Sequence, residues 1–396
     1  DLIYDIIICE MGFVWEANMI DKRLIKNFDF IILLVIVLIA GFGMIGIGVA
    51  MRSPTEGNES IYEVLGNLNL RYVKSQAIWL VIGLVILLIV ASIDYNVYKD
   101  LVPYGYIMVL ILLIYVSKRG ILAGNARRAM EVGPVTIQPS EFAKLVIIVS
   151  TARIIDKQEN VNNIKSFAMI FGHVLPILFL TLKQPDMGTS LVYIVIICGM
   201  LFIAGLDHKL IASMIGAGLA SIPIAWKFIL SETQKKRVLV FLNPELDPLG
   251  DAYNVVQSMT AIGSGRLYGK GVLTDNTLSQ LNFLPAKHTD FIFSVTVEAL
   301  GFVGGAIIIL LYMILILRTV AIAKKAKDRF GSLIVIGVAS MMFFHIFENI
   351  GMTMGLMPVT GIPLPFMSYG GSSMMTNMMA YGMVLSVAMR RQKIKF

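Results

Sequence analysis

The feature that most constrains this chain is a series of apolar blocks, each about 20 residues long, the length an α-helix needs to cross roughly 30 Å of hydrocarbon. Ten are legible, near 30–50, 76–93, 101–116, 140–155, 167–182, 187–205, 210–230, 291–317, 332–356 and 372–389. Lipid offers the backbone no hydrogen bonds, so each segment must satisfy its own polar groups, which makes helices the default. The expected fold is an all-α polytopic membrane protein, with one long hydrophilic outer loop at about 231–289. Composition agrees: 57% of residues are hydrophobic and 15% charged, and the mean hydropathy is +0.78. Glycines in the first block, Gly41, Gly43 and Gly46, suit close contacts between helices in a membrane.

Several classes are excluded at once. Cys9 and Cys198 cannot build a disulfide framework or a zinc site, and the four histidines show no metal-ligand spacing. Residues 1–18 carry Asp5, Glu10 and Glu16 without a basic lead, so they do not read as a signal peptide and stay unassigned. Met19 onwards looks more like a natural beginning, and 19–396 reads as a single membrane domain.

The net charge of +7 is not a nucleic-acid signal, because the positive residues gather at block ends, where they set topology. Lys22, Arg23 and Lys26 precede the first span, and Arg153, Lys157 and Lys165 follow the fourth. Arg318, Lys324, Lys325, Lys327 and Arg329 follow the eighth, while Arg390, Arg391, Lys393 and Lys395 close the chain. With ten spans all of these fall on one side, expected to be cytoplasmic together with both termini. Lys118, Arg119, Arg127 and Arg128 break the rule, lying between the third and fourth spans on the outer side. Headgroup anchoring accounts for them, and so does an outward-facing anion site, since paired arginines suit bidentate contact with phosphate oxygens.

Four outer segments hold the chemistry-bearing residues. In Gln138-Pro139-Ser140-Glu141-Phe142-Ala143-Lys144, Ser140 suits a helix cap, and Glu141 and Lys144 at i,i+3 suit a pair on one face. Asp186, at the mouth of the sixth span, reads equally as a cap or a ligand. Asp290 stands where the polar loop gives way to a very apolar helix; partial desolvation would raise its pKa and make it a usable general base. Capping that helix is the even alternative, and His288 and Lys287 beside it suit tuning or phosphate contact.

The fourth segment, 357–373, holds three prolines and three glycines, which exclude a continuous helix; Ser368, Gly370, Gly371 and Ser372 could present N–H groups and hydroxyls to an anion. Glu298 and Glu348 lie inside apolar spans and are functional candidates by default, with a Glu298–Lys144 pair as the structural alternative. The stretch from Gly265 to Gly271 fails as a P-loop, being a residue short and lacking Ser or Thr after the lysine, although Lys270 is retained among the candidate substrate contacts.

Together these segments resemble the SEDS family, the shape, elongation, division and sporulation proteins that include RodA and FtsW. The resemblance covers most of the chain from about Met19. It is carried by the Gln138–Lys144 and Gln184–Ser190 runs, by Arg237-Val238-Leu239 with Phe241-Leu242-Asn243-Pro244, by His288-Thr289-Asp290-Phe291-Ile292-Phe293, and by Gly361-Ile362-Pro363-Leu364-Pro365-Phe366 through Ser372. It implies a ten-span glycosyltransferase of the bacterial plasma membrane, active on the extracytoplasmic face. Such an enzyme polymerises lipid II into peptidoglycan strands with a class B penicillin-binding protein as partner. Asp290 matches the family's essential aspartate. Its implied role is to take the proton from the acceptor sugar's 4-hydroxyl as that oxygen attacks the donor's anomeric carbon and undecaprenyl diphosphate leaves. Arg127 and Arg128 would then face the diphosphate, and a divalent cation assisting it stays open.

Two positions depart from the pattern: Ala129 stands where the family usually has Trp, and Glu298-Ala299-Leu300-Gly301 where it often reads Glu-Glu-Leu-Gly. The residues alone also suit a transporter that flips a lipid-linked precursor, through Glu298, Glu348 and the broken backbone near Pro363, or a non-catalytic scaffold. Compact termini favour an elongation role over division or sporulation.

Overall fold

The computed structural model describes residues 27–52, 70–123, 126–133, 135–228, 230–247, 250–274, 277–281 and 283–391. The unassigned segment 1–18, the basic residues Lys22, Arg23 and Lys26, and Lys393 and Lys395 lie outside the described residues. Helices occupy all ten expected spans: α1 (Phe30–Ala50), α2 (Leu70–Ser92), α3 (Val97–Arg119), α4 (Pro139–Asp156), α5 (Ile164–Lys183), α6 (Met187–Ile203), α7 (His208–Phe228), α10 (Ile292–Lys324), α11 (Arg329–Thr353) and α12 (Gly371–Met389). Seven of them are long and apolar enough to cross a membrane by length and composition. The other three, α4, α6 and α12, have 18, 17 and 19 residues. Their polar positions turn inward: Ser140, Glu141, Lys144, Ser150 and Thr151 of α4 are all buried, as are Thr376, Asn377 and Ser386 of α12. Polar side chains in a span are kept off lipid in this way, so interior helices tolerate a hydropathy that a lipid-facing helix could not.

The outward faces carry the reverse pattern. Leu34, Ile78, Ile107, Phe179 and Phe302 are all more than half exposed, an arrangement suited to hydrocarbon rather than water. At the core, α11 packs against α4, α6 and α10, and α12 packs along α2. In α1, Gly43 lies against the backbone of Met367 and Gly46 against Thr296, the close approach expected of that glycine-rich run, whereas Gly41 has no neighbour within 4 Å of a Cβ position.

One end of the bundle is tied by ion pairs and caps. Lys99 bonds Asp156 at 2.7 Å, Arg390 meets Asp94 at 3.2 Å, and the Tyr95 hydroxyl donates to Asp328 at 2.6 Å. The opposite end carries the irregular segments.

Two of these segments hold more structure than the sequence suggested. The connection between α3 and α4 is a three-stranded antiparallel meander of β1 (Ile121–Ala123), β2 (Ala126–Val132) and β3 (Val135–Ile137). The long hydrophilic loop contains α8 (Glu232–Leu242) and α9 (Asp251–Ser264), the first opened by a capping box in which Ser231 and Gln234 exchange bonds.

The loop also enters a break in α10. Gly301 takes φ 71° and ψ −170°, a conformation open to glycine and closed to most side chains. The amides of Phe302 and Val303 donate to the carbonyls of Arg266 and Leu267 at 2.8 and 3.1 Å, and those of Lys270 and Gly271 to Glu298 and Ala299 at 2.9 and 3.0 Å. The interrupted helix thus has its freed backbone groups satisfied by the insert, as buried backbone requires.

Candidate active site

A cavity of about 640 Å3 opens at the irregular end of the bundle, within the roughly 300–1,000 Å3 typical of small-molecule sites. Six separate segments meet there, and eight of the candidate site residues line it: Arg128, Glu141, Asp186, His288, Asp290, Gly370, Gly371 and Ser372.

Asp290 lies two residues before α10, on the turn that ends the insert. Capping is not its role, for α10 is capped at Phe291 without a side-chain bond. Its backbone is held instead: the Asn349 side-chain amide donates to the carbonyls of Asp290 and Ile362 at 2.9 and 2.8 Å. Burial pushes the Asp290 carboxyl above the ordinary carboxylate value, while Arg128 foremost, the Thr289 hydroxyl and Arg237 draw it back. Gly361, at φ 72°, stands where a Cβ would come 3.4 Å from an Asp290 carboxylate oxygen. Beside it, burial and then the Lys287 charge lower the His288 pKa, so His288 is neutral in neutral solution.

The two arginines of β2 part company. Successive side chains of a strand point to opposite faces; Arg128 turns into the cavity and comes 4.0 Å from Asp186, whereas Arg127 is exposed on the other face, in register with Leu122. Of the two arginines expected to face a substrate, Arg128 alone lines the cavity.

Asp186 is committed to structure. One carboxylate oxygen accepts the Thr189 amide at 3.2 Å, and the other accepts the Thr189 hydroxyl, Gln138 and Ser140 at 3.0, 3.1 and 3.3 Å. It caps α6 and ties that helix to α4. Ser140 does not cap α4; Gln138 holds the cap position, with Pro139 in the first turn, and the Ser140 hydroxyl serves Asp186.

Glu141 and Lys144 pair at 2.8 Å, as their i,i+3 spacing allows, and Lys144, wholly buried, also lies 3.0 Å from His345 Nε2. The other Glu141 oxygen is buried with no hydrogen-bond partner, and the residue contributes to the cavity lining. Lys144 itself does not reach the cavity.

The pairing of Glu298 with Lys144 is overturned. Glu298 is buried and accepts from Lys270 at 2.8 Å, from the Leu278 and Ser279 amides at 3.0 and 3.2 Å, and from the Ser279 hydroxyl at 2.6 Å. Glu298 and Lys270 therefore form a latch that fastens the insert to α10, away from the cavity. Glu348 likewise has a local partner, the Thr360 hydroxyl at 2.7 Å.

The segment from Ser368 to Ser372 is also used internally. Ser368 donates to the Thr289 carbonyl at 2.7 Å and accepts the Leu364 amide at 2.8 Å; it does not line the cavity. Ser372 donates to the Thr136 carbonyl at 2.6 Å and so clamps β3 onto α12. What remains for a ligand is the first turn of α12 at Gly371–Ser373, whose amides have no partner within the helix.

Sequence reasoning missed the partners that hold this site. Asn349 is the clearest, and the signal available was a second polar residue beside Glu348 in an apolar span. The other is the N-terminal end of α2. There Gln76 donates to the Ser368 carbonyl at 3.1 Å, and the Tyr72, His288 and Tyr369 rings lie 5.3–5.7 Å apart. The separation of 292 residues between Gln76 and Ser368 left no local trace.

A helical bundle clad in apolar side chains, with a charged cavity at one end, is a multi-pass membrane protein. The chain belongs to the FtsW/RodA/SpoVE family, whose model, described as "Cell cycle protein", matches residues 30–393. It is 41% identical over 312 residues to the peptidoglycan glycosyltransferase MrdB of Escherichia coli, covering 79% of this chain and 84% of that protein. It is 33% identical to the peptidoglycan glycosyltransferase RodA of Treponema pallidum, covering 93% and 99%. The fold is similar to a chain from a peptidoglycan synthase complex, with TM-score 0.76, 28% identity and coverage of 92% and 98%. It is also similar to the rod shape determining protein RodA of Thermus thermophilus, with TM-score 0.66, 25% identity and coverage of 96% and 99%.

Proposed function

We propose that this protein is a peptidoglycan glycosyltransferase that polymerises lipid II, with Asp290 as the general base. The observation that carries the reading is a carboxylate placed in a charged cavity, held by its backbone rather than spent on a cap, and raised in pKa by burial. A base so tuned takes a hydroxyl proton more readily than an exposed aspartate.

In the proposed reaction Asp290 removes the proton from the acceptor sugar's 4-hydroxyl. That oxygen attacks the anomeric carbon of the donor, the glycosidic bond forms, and the bond to undecaprenyl diphosphate breaks. Arg128 and the first turn of α12 offset the charge on the leaving diphosphate. Glu141, which lines the cavity, contacts a hydroxyl or amide of the sugars. Among the described residues no group of three or more His, Cys, Asp or Glu side chains could hold a metal ion.

The cavity end is the extracytoplasmic face and the basic end the cytoplasmic one, with both termini inside; the weight of Arg and Lys near Arg318–Arg329 and Arg390 supports this orientation. A class B penicillin-binding protein works beside it on the outer face, cross-linking the strands. The test is polymerisation of lipid II by purified protein, alone and with that partner, comparing wild type with Asp290→Ala and Asp290→Asn. Polymer undiminished in both variants would remove the base assignment, and lipid scrambling without polymer would favour a transporter.

A further inference from the structure

The cavity lining mixes two kinds of side chain. Arg128, Glu141, Asp186 and Asp290 supply charge, while Trp79 and Tyr369 bring aromatic rings from α2 and from the turn before α12. Ala129, in the same lining, contributes only a methyl group and no ring.

Trp79 is held flat. A Cβ at Gly371 would stand 2.7, 2.9 and 3.0 Å from Cε2, Cδ2 and Cζ2 of the indole. Near-equal distances to a ring-fusion atom and two of its bonded neighbours put that point above the ring face rather than at its edge. Gly371 therefore supports one face of the indole at a distance no other residue permits. The support is itself fixed, since Gln76 donates to the Ser368 carbonyl at 3.1 Å and accepts the Gly370 amide at 3.4 Å. The Tyr369 hydroxyl donates to Ser75 at 3.3 Å. This is a preorganised apolar surface, and it touches the residue that opens α12.

Position decides what such a surface would hold. The first turn of α12 is the place proposed for the donor's diphosphate, and Trp79 lies against its first residue, Gly371, so the groups within reach of the ring are the two joined to that diphosphate, the pyranose and the prenyl chain; of these only the pyranose belongs inside a cavity lined by charged side chains. A pyranose has polar edges and two faces of C–H groups, and a C–H face stacks on an indole while its hydroxyls and acetamido group turn toward polar partners. We infer that Trp79 is a specificity-determining residue, the shelf on which the diphosphate-linked sugar of the donor stacks. This rests on the glycosyltransferase reading above.

The test uses the full-length chain with Trp15 and Trp226 replaced by Phe, leaving Trp79 as the only tryptophan of the three. Two probes are titrated: a short-chain prenyl diphosphate bearing the disaccharide, and the same prenyl diphosphate without sugar. The sugar-bearing probe is expected to quench or blue-shift the Trp79 emission, and the bare diphosphate to leave it unchanged. In the wild-type background Trp79→Leu is expected to raise the KM for lipid II about tenfold with kcat within about twofold, the order of one aromatic contact. Trp79→Phe should stay within about threefold of wild type. Equal responses to the two probes, or an unchanged KM in Trp79→Leu, would overturn the shelf while leaving the Asp290 assignment standing. A Trp79 response to sugar in a protein that makes no polymer would instead keep the shelf and remove the catalytic reading.

Discussion

The side-chain amide of Asn349 donates to the main-chain carbonyl of Asp290 at 2.9 Å, and the same nitrogen reaches the Ile362 carbonyl at 2.8 Å. One residue of α11 thereby fixes both the candidate base and the broken segment that faces it. Asn349→Leu leaves two carbonyls without their donor, at about 1–3 kcal/mol for each buried group. Polymerisation kcat is expected to fall at least tenfold with a smaller change in KM, and thermal unfolding in detergent should shift to lower temperature.

The Asp290 carboxyl is raised by burial and held back first by Arg128. A base must be deprotonated, so kcat/KM should fall as pH drops through a midpoint above the ordinary carboxylate value. Arg128→Gln removes a positive charge that favours the ionised form, and the midpoint should move up further; a downward move would count against the assignment. The sign for stability is the opposite of an ion-paired acid. With the folded pKa raised, the group favours folding at pH below its unfolded value and loses that contribution as pH rises through the folded pKa. Asp290→Asn should therefore be more stable than wild type at neutral pH, with the advantage shrinking in acid.

Lys144 is wholly buried and Glu141 nearly so, paired at 2.8 Å. Lys144→Met strands a buried carboxylate, which costs about 3–5 kcal/mol where a partner is lost. The double change Glu141→Gln with Lys144→Met is expected to recover most of that stability and little of the activity, since Glu141 also lines the cavity. Thermal melts and polymerisation assays on the three variants would separate the two effects.

Gly361 combines φ 72° with a Cβ position 3.4 Å from an Asp290 oxygen. Gly361→Ala pays for a left-handed backbone at about 1–2 kcal/mol and sets a methyl group in contact with the carboxylate, so reduced kcat with intact insertion into membranes is the expected outcome. Membrane fractionation and the polymerisation assay read the two quantities.

Glu298 receives Lys270, two amides and a hydroxyl from the insert. Glu298→Ala should loosen the insert from α10, seen as faster amide exchange and faster proteolysis over 264–287, while helices away from it stay protected. Unchanged protection there would show the latch to be dispensable.

Much of this was legible in the chain because spans follow local composition. A run of 20 apolar residues is a helix in lipid whatever its neighbours do, and the ten helices lie where the blocks predicted them. The motif residues around Asp290 were also readable as a group, since each keeps its order in sequence. The β-meander was not, because 120–137 is short and its strands are stabilised by one another rather than by any periodic apolar face.

The sequence by itself determined the all-helical membrane architecture, the segregation of basic residues to one end, and the choice of Asp290 as the residue to watch. Tertiary structure alone decided which neighbours work with it. Strand alternation sent Arg128 inward and Arg127 out, and helix packing gave Lys144 to Glu141 and Lys270 to Glu298. The physical reason is that hydropathy acts within a segment, whereas a buried charge takes whichever partner the packed bundle brings within about 3 Å.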